Sequence, residues 1–355
     1  MNGDISGTAP IESIPPFKDR SAGLVVFGIL TLLMGCLAGL FTLLILVAHA
    51  LTVRAAMVKS PGPAAMPMSS VLFGVLIYGA LAVALAWLGI GSIMKRRWAR
   101  ALLLIFSWCW LIMGIFSCIG MAFVMPGMLK TMSSDGTPDP NHPALSPEAI
   151  LTVIGVVSVT FVIIFVILPT VWISFYGSRH VKATAERLDP VVRWTDRCPL
   201  PVLAACLWLG LSVPGMLLMI PAYHGVAVFF GIFLVGWPGA LFYLLIAVIW
   251  GYAARSIYRL ERRGWWVVFI AICLLAISAA LTFARHDIME MYRLMGYPQA
   301  QIEQIQKFGL LSGNRMEWMT LGSMVPCLGY LLFIRKFLRD PSDGAKVLAN
   351  PVGPT

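Results

Sequence analysis

Charge is what this chain lacks most. Of its 355 residues only 12% are charged, while 59% are hydrophobic. A soluble globular domain carries about 25% charged residues, so a chain this apolar could not keep its surface in water. The mean hydropathy of +0.86 points to the bilayer as solvent. Length alone would suggest about two soluble domains, but repeated long apolar runs override that prior.

Cysteine chemistry is also missing. Cys36, Cys109, Cys118, Cys206, Cys273 and Cys327 fall inside predicted spans, Cys198 falls at the end of one, and no CxxC occurs. That pattern gives no support to a disulfide framework or a thiolate zinc site. The cysteines read as small apolar filler. Enzyme signatures are absent as well: there is no HExxH, no GxSxG, no GxxxxGK[ST] and no rhomboid-like GxSG. No catalytic residue and no cofactor is expected.

Charge is scarcest where it would matter most for ion transport. All 16 Asp and Glu and all 26 Lys and Arg fall in tails, loops or span edges. Ionisable groups inside a bilayer mark ion paths and proton relays. Their absence from span centres argues against a proton-coupled carrier with a buried carboxylate and against a voltage sensor. A neutral or lipid-like substrate stays open.

What is present is length in the apolar runs. A bilayer core takes about 20 residues of helix, and eight stretches qualify: 24–51, 71–94, 101–125, 150–176, 200–220, 226–250, 265–283 and 318–333. The fifth and sixth are separated only by Pro221-Ala222-Tyr223-His224-Gly225, which predicts a tight helical hairpin. The sequence therefore predicts an all-α polytopic transmembrane helical bundle of about eight spans.

Positive charge sets the expected orientation. Counting compartments alternately from the N-terminal tail, one side holds 19 of the 26 Lys and Arg. Cytoplasmic loops carry the excess, so both termini are expected in the cytoplasm of a cell (inner) membrane. The net charge of +10 sits in short clusters between apolar runs. It reads as attraction to anionic headgroups, and no nucleic-acid partner is expected. Ala48-His49-Ala50 resembles a signal-cleavage site, but more than 20 apolar residues precede it, so the first span is expected to stay.

The order of landmarks suggests an internal duplication. Asp19-Arg20 precedes the first span and Asp196-Arg197 the fifth. Ser92-Ile93 and Arg96-Arg97-Trp98 join the second and third spans, as Ser256-Ile257 and Arg262-Arg263-Gly264-Trp265 join the sixth and seventh. Asp189-Pro190 follows the fourth, and Asp340-Pro341 the eighth. The expected organisation is a disordered tail 1–20, a four-helix unit 21–190, a second unit 191–339 and a disordered tail 340–355. A four-span unit begins and ends on one side, so the 4+4 internal repeat would be parallel. A small helical cap is expected near 285–315, on the outer surface.

Arg96, Arg97, Trp98, Arg262, Arg263 and Trp265 read as membrane anchors, with guanidinium groups reaching phosphate and indoles at headgroup level. The outer side is rich in His and Met. His142, His224 and His286 with Met121, Met125 and Met128 are the candidate ligands for a soft metal such as Cu(I). Met132 continues that stripe. Ordinary packing is the plain reading of such methionines, and Pro126-Gly127 is a candidate break within the stripe. His286, Asp287 and Glu290 could form a hydrolytic or metal cluster, against the plainer reading of a solvated face. Pro169, Pro214, Pro238 and Pro326 are expected as kinks. Gly35 and Gly39, and Gly231, Gly236 and Gly239, are expected at helix contacts.

These readings converge on a non-enzymatic structural or accessory membrane component in the lipid bilayer, with a membrane-protein partner or second copy possible. One alternative is a transporter or lipid-handling protein for an uncharged or amphipathic substrate, with a path between the halves. A second is a membrane enzyme or soft-metal-binding protein with a site on the outer face.

Overall fold

A computed structural model describes residues 18–58, 68–134, 147–307 and 315–338. Residues 1–17 and 339–355 and the loop containing His142 lie outside the described residues. Among the described residues twelve α-helices run in chain order: α1 (Ser21–Val58), α2 (Met68–Ile93), α3 (Arg97–Ser134), α4 (Pro147–Val162), α5 (Leu168–Tyr176), α6 (Arg179–Leu188), α7 (Leu200–Ala222), α8 (Trp237–Tyr258), α9 (Arg262–Phe283), α10 (Ile288–Leu294), α11 (Gln299–Lys307) and α12 (Arg315–Arg335). A π-helical turn, Ile163–Ile167, makes α4 and α5 one continuous rod. Among the described residues seven segments are long and apolar enough to cross a membrane, and the C-terminal part of α12, Met324–Arg335, is a shorter apolar helix. Large apolar side chains such as Val83, Leu211 and Trp237 point outward. The fold is that of an all-α membrane protein, whose lipid-facing surface needs no polar cover.

Two apolar cores lie at the same end of the helices. One joins Leu24, Leu88, Leu102, Leu103, Trp172, Tyr176 and Val181 from α1, α2, α3, α5 and α6. The larger one joins the N-terminal part of α7, the C-terminal part of α8, the start of α9 and Leu331, Ile334 and Leu338 at the end of α12. Ile105 of α3 belongs to the second core and Leu207 of α7 packs on the first. The arginine clusters sit at this end, here called the basic end.

Small residues let the backbones meet. Gly35 of α1 is tight against Ala86 of α2, as expected, whereas Gly39 has only an ordinary contact. The closest α1–α2 approach is at Gly28 and Gly89, where a Cβ on either would lie 2.9 Å from the other's carbonyl oxygen or its helix backbone. In the fourth span, Pro169 has no N–H to give Phe165, the residue four positions earlier. The chain widens into the π turn, where the Leu168 N–H returns to Ile163 O, and the Phe165 carbonyl lies where a Cβ on Gly114 of α3 would collide with it. Pro169 thus acts through its missing donor, while Pro214 and Pro326 lie inside α7 and α12.

The sixth span differs from the sequence expectation. Residues after Gly225 do not enter a helix. They form an antiparallel hairpin, β1 (Ala227–Phe229) and β2 (Ile232–Leu234), with Phe229 opposite Ile232. Its two-residue turn, Phe230-Gly231, has φ of 39° and 91°, the doubly positive geometry that suits the twist of a hairpin. Gly231 is a turn residue, Gly236 (φ 69°) caps α8, and Pro238 sits in the first turn of α8 and kinks nothing. The helix begins at Trp237 instead of Val226. An apolar run of this length fits strand or helix equally. Distant hydroxyls decide between them: Ser278 and Thr282 of α9 accept the Phe230 and Gly231 N–H groups, each at 2.8 Å, and Tyr243 donates to Val226 O at 2.7 Å. Backbone groups that would be orphaned in lipid are thereby satisfied.

The connections α2–α3 and α8–α9 have one geometry. Lys95 and Leu260 both adopt positive φ, 57° and 63°. Arg96 N–H returns to Gly91 O at 2.8 Å, and Glu261 N–H to Ser256 O at 3.1 Å. These six-residue closures are the Schellman ending of a helix. They pair Gly91 with Ser256 and Ala99 with Gly264, one residue away from the alignment of the two Ser-Ile pairs. A Cβ on Gly91 would lie 2.8 Å from Ala99 Cβ, and one on Gly264 would lie 2.7 Å from Ser256 Cβ. The same close contact recurs, with glycine on opposite partners.

Candidate functional site

The densest polar assembly is at the basic end. The amphipathic α6, with only Val181, Thr184 and Ala185 buried, brings Asp189 under the first turn of α3. Asp189 is 3% exposed. Its Oδ2 accepts the Arg97 N–H at 3.2 Å, an acidic group at a helix N-terminus. Arg96 and Arg193 approach the same carboxylate at 3.7 Å. Arg97 donates from Nε to Asp196 at 3.0 Å and contacts Glu186 at 3.5 Å. Asp196 also accepts the Arg193 N–H at 3.1 Å, closing the 3-10 turn Trp194–Asp196. Asp189 and Asp196 are thus ionic partners of the arginine cluster. Sequence order could not pair them, because the contacts span about 90 residues of chain or more.

The proposed anchors divide. Arg96 and Arg97 are in that network. Trp98 is half-buried and stacks on Trp87, with ring centroids 4.2 Å apart. Arg263 is exposed, and Arg262 begins α9. Trp265 does not sit outward: it is 2% exposed, and its Nε1 donates to Leu331 O of α12 at 2.6 Å. A buried indole needs such a partner for its N–H. The outward indole is its neighbour Trp266. Helical phase, one residue off, was the signal that would have separated them.

The opposite end carries the hairpin and a cap in which Ile288, Met289 and Ile302 of α10 and α11 are buried together. His286 Nδ1 and Glu290 Oε2 are 2.9 Å apart, so these two converge. Asp287 is occupied as the α10 N-cap, accepting the Met289 N–H at 3.2 Å. His224 is exposed in the turn after α7, beside Gly296. Burial raises the Tyr223 and Tyr292 hydroxyls above the ordinary tyrosine range, and neighbouring Tyr297 adds to both shifts. Met121 is half-buried on α3. The helix backbone continues through Pro126-Gly127 without a break. His142 and the side chains of Met125, Met128 and Met132 lie outside the described residues. Among the described residues, no three His, Cys, Asp or Glu groups come close enough to hold a metal ion.

Several buried polar groups of the spans bond between helices. Ser92 donates to Leu24 O at 2.9 Å and shares a 2.8 Å hydrogen bond with Tyr176, while Trp172 donates to Thr31 at 3.3 Å. Such bonds hold helices together. No family model matches the chain, and no curated protein or solved structure matches it.

Proposed function

We propose that this chain is an eight-span inner-membrane protein with both termini in the cytoplasm, built from two parallel four-helix units. In this reading it acts as a structural or accessory component of the membrane. The observation that carries the reading is the use of its buried polar groups. Ser92, Tyr176, Thr31, Trp172, Ser278 and Thr282 are bonded between neighbouring elements. Within the spans the halves meet through apolar side chains, Ile105 and Leu207, and their ionic contacts, Arg97 with Asp196 and Asp189 with Arg193, lie at the basic end. Both features support a closed body over a polar path between units.

The repeated α2–α3 and α8–α9 geometry supports the two-unit reading. The eighth span is supported by α12, whose 21 residues measure about 31 Å at 1.5 Å per residue. Its C-terminal residues lie in the core at the basic end. The excess of Lys and Arg at that end supports its cytoplasmic side.

Impermeant thiol labelling of single cysteines, in a background without the native ones, tests the topology. His224→Cys should label in intact cells, while Arg259→Cys and Lys336→Cys should label only after permeabilisation. Labelling at position 336 in intact cells would remove the eighth span. Lipid movement in proteoliposomes above the protein-free rate would favour the lipid-handling alternative.

A further inference from the structure

The connection from α6 to α7 carries an outward apolar surface at the basic end. Between Leu188 and Trp194 four large side chains, Leu188, Val191, Val192 and Trp194, are 42–67% exposed. The segment is nevertheless held in place. The Asp189 carboxylate accepts the Arg97 N–H at 3.2 Å, the Trp194 carbonyl accepts the Tyr258 hydroxyl at 2.9 Å, and Thr195 is buried. A fixed segment that keeps four large apolar side chains outward is unfavourable in water, and such patches mark interaction surfaces.

Those bonds also set its depth. Arg97 is the first residue of α3 and Tyr258 the last of α8, so the segment lies level with the span ends, where headgroups begin. Leu188 shows which way it faces. Val181, Thr184, Ala185 and Leu188 share one stripe of α6. Val181 enters the apolar core beside Leu24 and Tyr176, and Thr184 accepts the Arg20 N–H. Leu188 continues that bundle-facing stripe, yet it is half exposed. A stripe that runs past the edge of the bundle meets the lipid beside it. The charges divide in the same sense. Asp189 and Asp196 turn inward, with side chains 3% and 14% exposed, and Glu186 is shared by Arg97 and Lys182. Lys182, Arg187 and Arg197 are exposed. An outward surface that is both apolar and cationic is complementary to an anionic lipid surface.

We propose that the Leu188–Trp194 connection is seated in an anionic leaflet at the basic end, with its four apolar side chains among the upper acyl chains and Lys182, Arg187 and Arg197 toward the lipid phosphates. The anchors expected at Trp98 and Trp265 make contacts inside the protein instead, and this connection supplies the hold on the lipid surface. The seat rests on the membrane-embedded fold but on neither the eighth span nor a given orientation. Its failure and that of the topology are therefore read by different measurements.

The test uses the full chain in nanodiscs, which leave both membrane faces open to solution, made of phosphatidylcholine alone or mixed with phosphatidylglycerol. An environment-sensitive fluorophore is placed on Val192→Cys, in a background without the native cysteines. With phosphatidylglycerol present, a nitroxide high on the lipid chain should quench it and aqueous iodide should not. The same fluorophore on His224→Cys, exposed at the other end, should be quenched by iodide in both lipids. Arg197→Gln breaks no side-chain bond among the described residues, so it should fold normally. It should lower the ratio of seated to exposed probe at position 192 by about fivefold, the scale of one basic residue at an anionic surface. Iodide access at position 192 equal to that at 224 would overturn the proposal. So would shielding that is the same without phosphatidylglycerol and in Arg197→Gln. Shielding that arises only on adding soluble polyglutamate would assign the surface to an acidic protein segment and likewise overturn the lipid seat.

Discussion

The α2–α3 and α8–α9 connections have one backbone and two chemistries. Each ends a helix with a non-glycine residue at positive φ and restarts two residues later. The first is held from outside by carboxylates of α6 and the 3-10 turn. The second is held internally, with Ser256 donating to Glu261 at 3.0 Å, and by α12. There Leu331 O takes the Trp265 N–H, and Arg335 lies 5.1 Å from the Trp265 ring. A shared backbone therefore does not imply shared forces. The turn geometry is local, while the side-chain partners depend on which later element reaches the corner.

The largest expected effect tests that dependence. Asp189→Ala should destabilise the protein by about 2–3 kcal/mol, because it uncaps α3 and leaves Arg96 and Arg193 without their buried partner. Partial exposure of those arginines keeps the cost below that of a fully buried pair. Glu261→Gln at the other corner should cost under about 1 kcal/mol. Equal losses in detergent melting would remove the distinction between the corners.

Next comes the swapped glycine. Gly91→Ala should cost about 1–3 kcal/mol by overpacking, since its Cβ would meet Ala99 and the Trp98 ring at 2.7–2.8 Å. Adding Ala99→Gly should recover part of that loss, because the second corner already has its glycine on that side. Strict additivity in the double-mutant cycle would count against equivalence of the two corners.

Trp265→Phe keeps the ring but deletes the N–H that bonds Leu331. A loss of about 1–2 kcal/mol is expected, and Trp266→Phe should cost much less. Melting curves of the two variants compare the buried indole with the exposed one.

The smallest effect is at Asp19, which stands before α1 as Asp196 stands before α7. Its carboxyl is held below the ordinary range by the Ser21 backbone N–H, then by the Ser21 hydroxyl. A lowered folded pKa stabilises above the unfolded value and loses that stability as pH falls through the folded one. Asp19→Asn should thus melt slightly below wild type at neutral pH, and the gap should close below the carboxylate range. A gap that widens with acid would reverse the sign.

Much of the helical body was legible in the sequence. Bilayer solubility is a compositional property, and a run of about 20 apolar residues has few other uses. Only the long spans were secure on that ground. The hairpin at 226–236 was not, because Val226–Phe230 and Ile232–Val235 are apolar in any conformation. Gly231 and Gly236 were the available hint, although glycines in an apolar run also suit helix contacts. Of the basic-end site, the arginines were visible but their partners were not. Asp189 and Asp196 looked like boundary markers, and Arg100 looked like one more cation in a loop.

By itself the sequence determined that this chain belongs in a membrane, which residues must avoid its centre and where its charge collects. Those are consequences of transfer free energy, summed residue by residue along the chain. Tertiary structure decided that an apolar run became a hairpin, since its N–H groups found Ser278 and Thr282 about 50 residues away. It also decided that Trp265 turned inward to α12 and that, among the described residues, the buried Arg100 Nε found no hydrogen-bond acceptor. Each outcome depends on a hydrogen bond made or missed between distant segments, and such directional pairing exists only once the helices have packed.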